Sequence, residues 1–270
     1  MSSLAGKVAL ITGGGTGIGK GIAERFGREG MKLALAGLDQ ARNSATHYGG
    51  RNLGGFTAAT LVAKSIGANA IAIEADVTDR AQVQAMVEKT VKAFGGIDVL
   101  VNCAGVITAR PIAEMSEDDW DSIMDVNAKG TFLTNQAAVA QMRKQGGAGR
   151  IINIASVAGK FGTATLTHYC ASKFAVVGFT NALAKEVARE GITVNCICPG
   201  IVDTQMWTLL NTAFANPGET PEQVYKRAIE RYVPQNEPQT SEDMADMAVF
   251  FATAPHVTGQ AYNVDGGMDL

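Results

Sequence analysis

Val8-Ala9-Leu10-Ile11-Thr12-Gly13-Gly14-Gly15-Thr16-Gly17-Ile18-Gly19 is the stretch that decides the fold. Its first four residues are apolar and read as a buried strand, and the run from Lys20 to Arg28 reads as a helix. Glycines between a strand and a helix permit a tight turn and let a pyrophosphate come close to the N–H groups at the helix start. Gly13, Gly15, Thr16 and Ile18 are therefore candidate nucleotide contacts. By itself the stretch also fits a simple turn.

Outward from this point the same rhythm continues. Strands are expected at Val8 to Ile11, Leu33 to Ala36, Ala70 to Glu74, Val99 to Val101, Ile151 to Ile154, Thr193 to Cys196 and Ala261 to Val264, with helical patterns between most of them. Apolar strands alternating with helices imply a parallel sheet covered on both faces, with ligands beyond the carboxyl ends of the strands. No linker, repeat or low-complexity tract divides the 270 residues, so the expectation is one α/β domain over 1–270.

The balance of 23 basic and 26 acidic residues gives a net charge of −3 with no basic stripe, which disfavours a nucleic-acid partner. No apolar run approaches the roughly 20 residues of a spanning helix, and Met1 to Gly6 lacks the pattern of a signal peptide, so no membrane partner and a cytoplasmic location are expected. Four cysteines, at 103, 170, 196 and 198, are too few and too scattered for a disulfide framework. Cys196 and Cys198 would point the same way on a strand, but no ligand-type partner has metal spacing, so core packing is expected and no metal.

Tyr169-Cys170-Ala171-Ser172-Lys173 carries the chemistry. Four-residue spacing on a helix lays the Lys173 ammonium beside the Tyr169 phenol, an arrangement that is also common as a surface pair. A nearby cation favours phenolate, so a tyrosine with a reference pKa of roughly 10 is expected to exchange a proton with an alcohol near neutral pH. Ser156 lies thirteen residues earlier, after the strand Ile151 to Ile154, where it reads either as a turn cap or as a partner of Tyr169. Asn102-Cys103-Ala104-Gly105 follows another strand and ends in small residues.

Taken together these motifs resemble the short-chain dehydrogenase/reductase family from Gly6 to Gly267, most closely in look its diol, acetoin and polyol branch. The resemblance implies a single-domain, doubly wound Rossmann fold with a mostly parallel seven-stranded sheet. It also implies catalytic roles for Asn127, Ser156, Tyr169 and Lys173: Tyr169 as base, Lys173 as its cation and holder of the nicotinamide ribose, Ser156 on the substrate oxygen, and Asn127 in a water relay. From the residues alone, Asn127 reads equally as a buried helix-kink asparagine.

Cofactor contacts implied by resemblance are Asp76 and Val77 at the adenine, Asn102, Ala104 and Gly105 beside the dinucleotide, and Pro199, Val202 and Thr204 at the nicotinamide, together with Tyr169 and Lys173. Asp76 also reads as a helix cap. The family's usual acidic position is Gly37 here, followed by apolar Leu38, and the double asparagine expected at 102 and 103 has Cys103 as its second residue. Asp39, twenty residues after Gly19, remains as the acid for a ribose 2′-hydroxyl, so NAD is expected over NADP.

A loop insertion is expected at about 40–56, punctuated by Gly49, Gly50, Gly54 and Gly55, as a surface excursion or as a cover for the adenosine. A substrate lid is expected at about 205–234. Ile107, Ala158, Phe161, Met206 and Trp207, with Ser156 and Tyr169, outline a small apolar substrate pocket, although Met206 and Trp207 also fit ordinary core positions. His168 reads as a polar neighbour. A small secondary alcohol or ketone, in the form of a diol, hydroxyketone or polyol, is the expected substrate. Reduction of 3-oxoacyl groups on acyl carrier protein is the alternative, and a dinucleotide-sensing regulator without turnover is a third. A homotetramer is implied by resemblance, through the helix from His168 to Arg189 and the segment from Ala261 to Leu270.

Overall fold

The structure, a computed structural model, describes residues 3–39 and 55–269. Seven strands, β1 (Val8–Thr12), β2 (Lys32–Gly37), β3 (Ala70–Glu74), β4 (Val99–Asn102), β5 (Arg150–Ile154), β6 (Thr193–Pro199) and β7 (Ala261–Val264), form one sheet. Their order is 3-2-1-4-5-6-7 and every pairing is parallel, where a mostly parallel sheet was expected. All seven expected strands are present; β3 and β7 have the expected ends, and the ends of the others differ by at most three residues.

Among the described residues the α-helices are α1 (Gly17–Arg28), α2 (Gly55–Ile66), α3 (Arg80–Phe94), α4 (Glu117–Met124), α5 (Thr131–Lys144), α6 (Thr167–Val187), α7 (Gln205–Ala213), α8 (Pro221–Tyr232) and α9 (Ser241–Thr253). Along β1 the side chains alternate between two apolar layers. Ala9 and Ile11 pack with Ile22 and Phe26 of α1 and Met244 and Phe251 of α9. Leu10 faces the other way, toward Val83 and Met86 of α3 and Leu133 and Met142 of α5. Both faces of the sheet are thus covered, which is why its strands read as continuous apolar runs. Fully enclosed side chains such as Phe26 and Phe251 contribute about 1.5–3 kcal/mol each.

The chain reverses its direction across the sheet at β1, between β2 and β4, and this is where α/β sheets open a crevice at the strand ends. Of the expected insertion, residues 40–54 lie outside the described residues. Gly55 and Phe56 belong to α2 rather than to a loop. The tip of β2 explains Gly37: a Cβ there would stand 2.5 Å from the Gly55 carbonyl oxygen, so a larger residue would push α2 off the sheet. The span 205–234 holds α7 and α8.

Candidate active site

The glycine turn and the helix it opens form one wall of a cleft of about 1160 Å³ at the carboxyl ends of the strands. Helix α1 starts at Gly17, earlier than the expected Lys20, with Thr16 as its N-cap. Thr16 makes no side-chain cap bond and the first turn carries no acid, so N–H groups at this end are left for an anion in the cleft. Gly13 has φ 66°, and a Cβ on it would lie 2.9 Å from the Ala104 nitrogen. A Cβ on Gly19 would run into the Gly13 carbonyl oxygen. These close approaches make a cradle that fits a dinucleotide pyrophosphate.

Thr16 and Ile18 line the cleft with Gly13, whereas Gly15 packs the turn against α2, where its Cβ would stand 2.5 Å from the Ala59 nitrogen. Thr12 was not anticipated as a site residue. Its hydroxyl accepts from both Cys103 N and Ala104 N at 3.2 Å, tying the turn after β4 to the glycine turn. Its place at the end of β1, directly before the glycines, was the available signal. Ala104 and Gly105 line the cleft. Asn102 does not: it is buried, and its amide donates to Asn153 Oδ1 at 2.8 Å, because its side chain alternates to the face away from the cleft. Cys103, the departure from the usual asparagine, has a thiol pushed up to about 12 by burial, so it sits there as a neutral group.

At the adenosine end the lining includes Gly37, Leu38, Asp39, Ala75, Asp76 and Val77. Both oxygens of Asp39 are engaged by α2, accepting from Thr57 N at 2.8 Å and Thr57 Oγ1 at 2.5 Å. These bonds hold its carboxyl below the ordinary value. Asp76 accepts from Thr78 N and Thr78 Oγ1, while the cap of α3 is Asp79, not Asp76. Pro199, Val202 and Thr204 line the opposite wall, and the Thr204 methyl would stand 3.2 Å from a Cβ on Gly17, so the two walls nearly meet there.

Tyr169 and Lys173 lie on the first two turns of α6, both buried, with Nζ 5.6 Å from the centre of the phenol ring. Lys173 Nζ donates to the Ile154 carbonyl at 3.0 Å, at the end of β5. Ser156, just beyond β5, caps the following turn by accepting from Ala158 N at 3.1 Å, and it stands close enough to the Tyr169 phenol to favour the charged form. The three side chains meet in the cleft. Their electrostatics differ from the sequence expectation. Burial pushes the Tyr169 phenol up to about 12, outweighing the effect of Ser156, and pushes Lys173 down to about 8. Both shifts have the same cause: a charged group loses its water when it is buried.

Asn127 sits in a π-helical turn, Asp125–Gly130, that joins α4 to α5. Its Oδ1 accepts from Val106 N at 2.8 Å, and its Nδ2 donates to Val106 O and to Ser172 Oγ. The Ser172 hydroxyl in turn donates to the Tyr169 carbonyl at 2.7 Å. A Cβ on Gly105 would lie 3.4 Å from Asn127 Oδ1 and 3.6 Å from Lys173 Nζ, so this brace borders the lysine. Ser172 is a further residue that spacing did not single out.

Ile107, Ala158, Phe161, Met206 and Trp207, expected at the substrate, line the cleft as well. Tyr169 is packed into an apolar cluster with Ile107, Ala158, Leu166 and Leu210, against which Met206, Trp207 and Phe214 rest. His168 is buried, with Nε2 2.7 Å from Thr108 Oγ1. Cys196 and Cys198 are buried with Ala155 and Val176. Among the described residues no group of three or more His, Cys, Asp or Glu is placed to hold a metal ion, and no helix is long and apolar enough to cross a membrane.

Residues 7–214 match the family model for short chain dehydrogenases. The chain belongs to the short-chain dehydrogenase/reductase family. It is 39% identical to galactitol 2-dehydrogenase of Agrobacterium fabrum over 97% of this chain and 96% of that one. It is 38% identical to a 3-oxoacyl-[acyl-carrier-protein] reductase of Synechocystis sp. over 99% of each chain. Among solved structures, a variant of actinorhodin polyketide ketoreductase with NADPH matches at a TM-score of 0.86 and 33% identity, covering 99% of both chains. This short-chain dehydrogenase is an oxidoreductase of a family that uses a nicotinamide cofactor, near the polyol and diol branch.

Proposed function

We propose that this short-chain dehydrogenase interconverts a small secondary alcohol and its ketone, with a vicinal diol, hydroxyketone or polyol as the substrate class and NAD as the cofactor. The observation that carries the reading is the meeting of Ser156, Tyr169 and Lys173 in a cleft that also takes in the glycine turn. A bound nicotinamide nucleotide supplies the hydride acceptor for oxidation and the donor for reduction.

In the reducing direction the Tyr169 phenol, kept protonated by burial, gives its proton to the carbonyl oxygen, and Ser156 holds that oxygen as charge develops on it. For oxidation the phenol must lose its proton. That requires more positive charge than Lys173 provides by itself, and the cationic ring of an oxidised nicotinamide would supply it when bound. Lys173, anchored on Ile154, is the cation beside the phenol and the holder of the nicotinamide ribose. Asn127 acts as a positioning residue: it ties the Val106 backbone to α6 through Ser172 and so sets the placement of Tyr169.

NAD is supported by charge. Among the described residues the cations lining the cleft are Lys173 and Arg227, and neither stands in the sequence segments of the adenosine end, where Asp39 and Asp76 do. Two carboxylates would repel a 2′-phosphate. A lid formed by α7 and α8 over the substrate is part of the same reading. A homotetramer is supported by exposed Phe132 and Phe174 on α5 and α6 and by exposed Phe250 and Tyr262 near the C-terminal strand. Free thiols at all four cysteines suit a cytoplasmic setting.

The apolar cluster around Tyr169 also favours a second reading, reduction of a 3-oxoacyl thioester, whose chain such a wall would cover. A panel of diols, polyols, hydroxyketones and 3-oxoacyl thioesters, each assayed with NAD and NADP or their reduced forms, decides between the two. Turnover confined to the thioesters would overturn the first.

A further inference from the structure

Thr165 has φ 66°, a left-handed backbone that β-branched residues rarely adopt. It stands just before α6, four residues ahead of Tyr169, and it lines the same cleft. The surroundings hold it in this conformation. Arg110 N donates to the Thr165 carbonyl at 2.8 Å, and Leu166 N closes a turn onto Thr163 O at 3.2 Å. Glycine would take this backbone without strain, so what the strain maintains is a side chain on the lining of the cleft, four residues ahead of Tyr169.

That side chain has a definite polarity. The Thr165 hydroxyl donates to the Ala164 carbonyl at 2.6 Å, which commits its proton and leaves its lone pairs to accept. The wall packed around Tyr169 is apolar, made by Ile107, Ala158, Leu166 and Leu210. A hydroxyl on the carbon next to the reacting one needs an acceptor in such surroundings, since burying it unpaired is costly.

Resting on the alcohol-oxidising reading above, we propose that Thr165 is a specificity-determining residue that accepts a hydrogen bond from the hydroxyl adjacent to the reacting carbon. The site then favours a vicinal diol or hydroxyketone over a mono-alcohol, and also over a diketone, which has no proton to offer.

The test compares kcat/KM for butane-2,3-diol and butan-2-ol, with NAD and with NADP, in the parent enzyme and in Thr165→Val, Thr165→Gly and Thr165→Ser. The diol-to-mono-alcohol ratio is expected to fall about tenfold in the Val and Gly variants, the effect of one lost hydrogen bond, and to stay within about twofold of the parent in the Ser variant. The Gly variant is also expected to melt at or above the parent temperature, because its backbone is unstrained. A ratio that stays put in Val and Gly, including the case where both alcohols lose rate together, overturns the proposal. So does a Ser variant that behaves like Val. If the parent oxidises neither alcohol with either cofactor, the underlying reading falls and takes this one with it; if it oxidises both and the ratio ignores Thr165, only this proposal falls.

Discussion

The two halves of the cleft are built from different materials. The nucleotide half, under β1 and α1, is made of backbone: Gly13 touching the Ala104 main chain, Gly19 against the Gly13 carbonyl, and helix N–H groups left without a side-chain cap. The substrate half is made of side chains from α6, α7 and the segments before them, among them Tyr169, Leu210 and Met206. A backbone site needs residues that are absent at Cβ, and glycine spacing shows that requirement in one dimension. A side-chain pocket can be lined by many apolar combinations, so its contents are hard to tell from core until the chain is folded.

The largest expected effect separates the halves cleanly. Tyr169→Phe should cut turnover by about 10²–10⁴-fold while NAD affinity, measured by calorimetry, stays near the parent value. Retained turnover would remove Tyr169 from the proton step. The converse change is Gly19→Ala, whose Cβ meets the Gly13 carbonyl. It should cost about 1–3 kcal/mol of stability by overpacking and weaken NAD binding, as read by denaturant melts and calorimetry. An unaltered protein would show that the turn is looser than its geometry implies.

The pH profile sharpens the contrast within the substrate half. Reduction requires the neutral phenol and the Lys173 ammonium, so its kcat/KM should hold through neutral pH. It should then decline as pH rises past about 8, where buried Lys173 loses its proton, approaching a tenfold drop per pH unit. Oxidation requires the phenolate and should instead gain rate toward alkaline pH. A reduction rate that rises toward alkaline pH, or an oxidation rate that falls, would overturn these assignments of Lys173 and Tyr169. The smallest effect is expected at Asp39→Ser, which removes one carboxylate from the adenosine end. The NAD-to-NADP ratio of kcat/KM should fall about fivefold, a little under 1 kcal/mol. A ratio unmoved by the change would assign cofactor choice elsewhere.

Several site features were legible before folding. The strand ahead of Gly13, the pairing of Tyr169 with Lys173, and Ser156 beyond β5 depend on local periodicity and residue type, and the structure gathers them in one place. Asn127 was legible as a kink asparagine, but not the Ser172 contact it makes, 45 residues away in the chain. Asn102 looked like a cofactor contact and turns to Asn153, on a neighbouring strand, because parallel pairing puts those two residues in register. Asp39 looked free to grip a ribose and is already bonded to Thr57, on a helix that lies beyond residues 40–54 in the sequence.

By itself the sequence determined the layered α/β architecture and the types of group, Ser156, Tyr169 and Lys173, that meet in the cleft. Strand alternation, helix spacing and glycine placement act over a few residues and leave a direct trace in the order of the chain. The state of those groups was decided by tertiary structure. The raised Tyr169 phenol, the lowered Lys173 amine and the strained Thr165 backbone follow from lost water and from partners supplied by distant segments, and neither exists until the chain has packed.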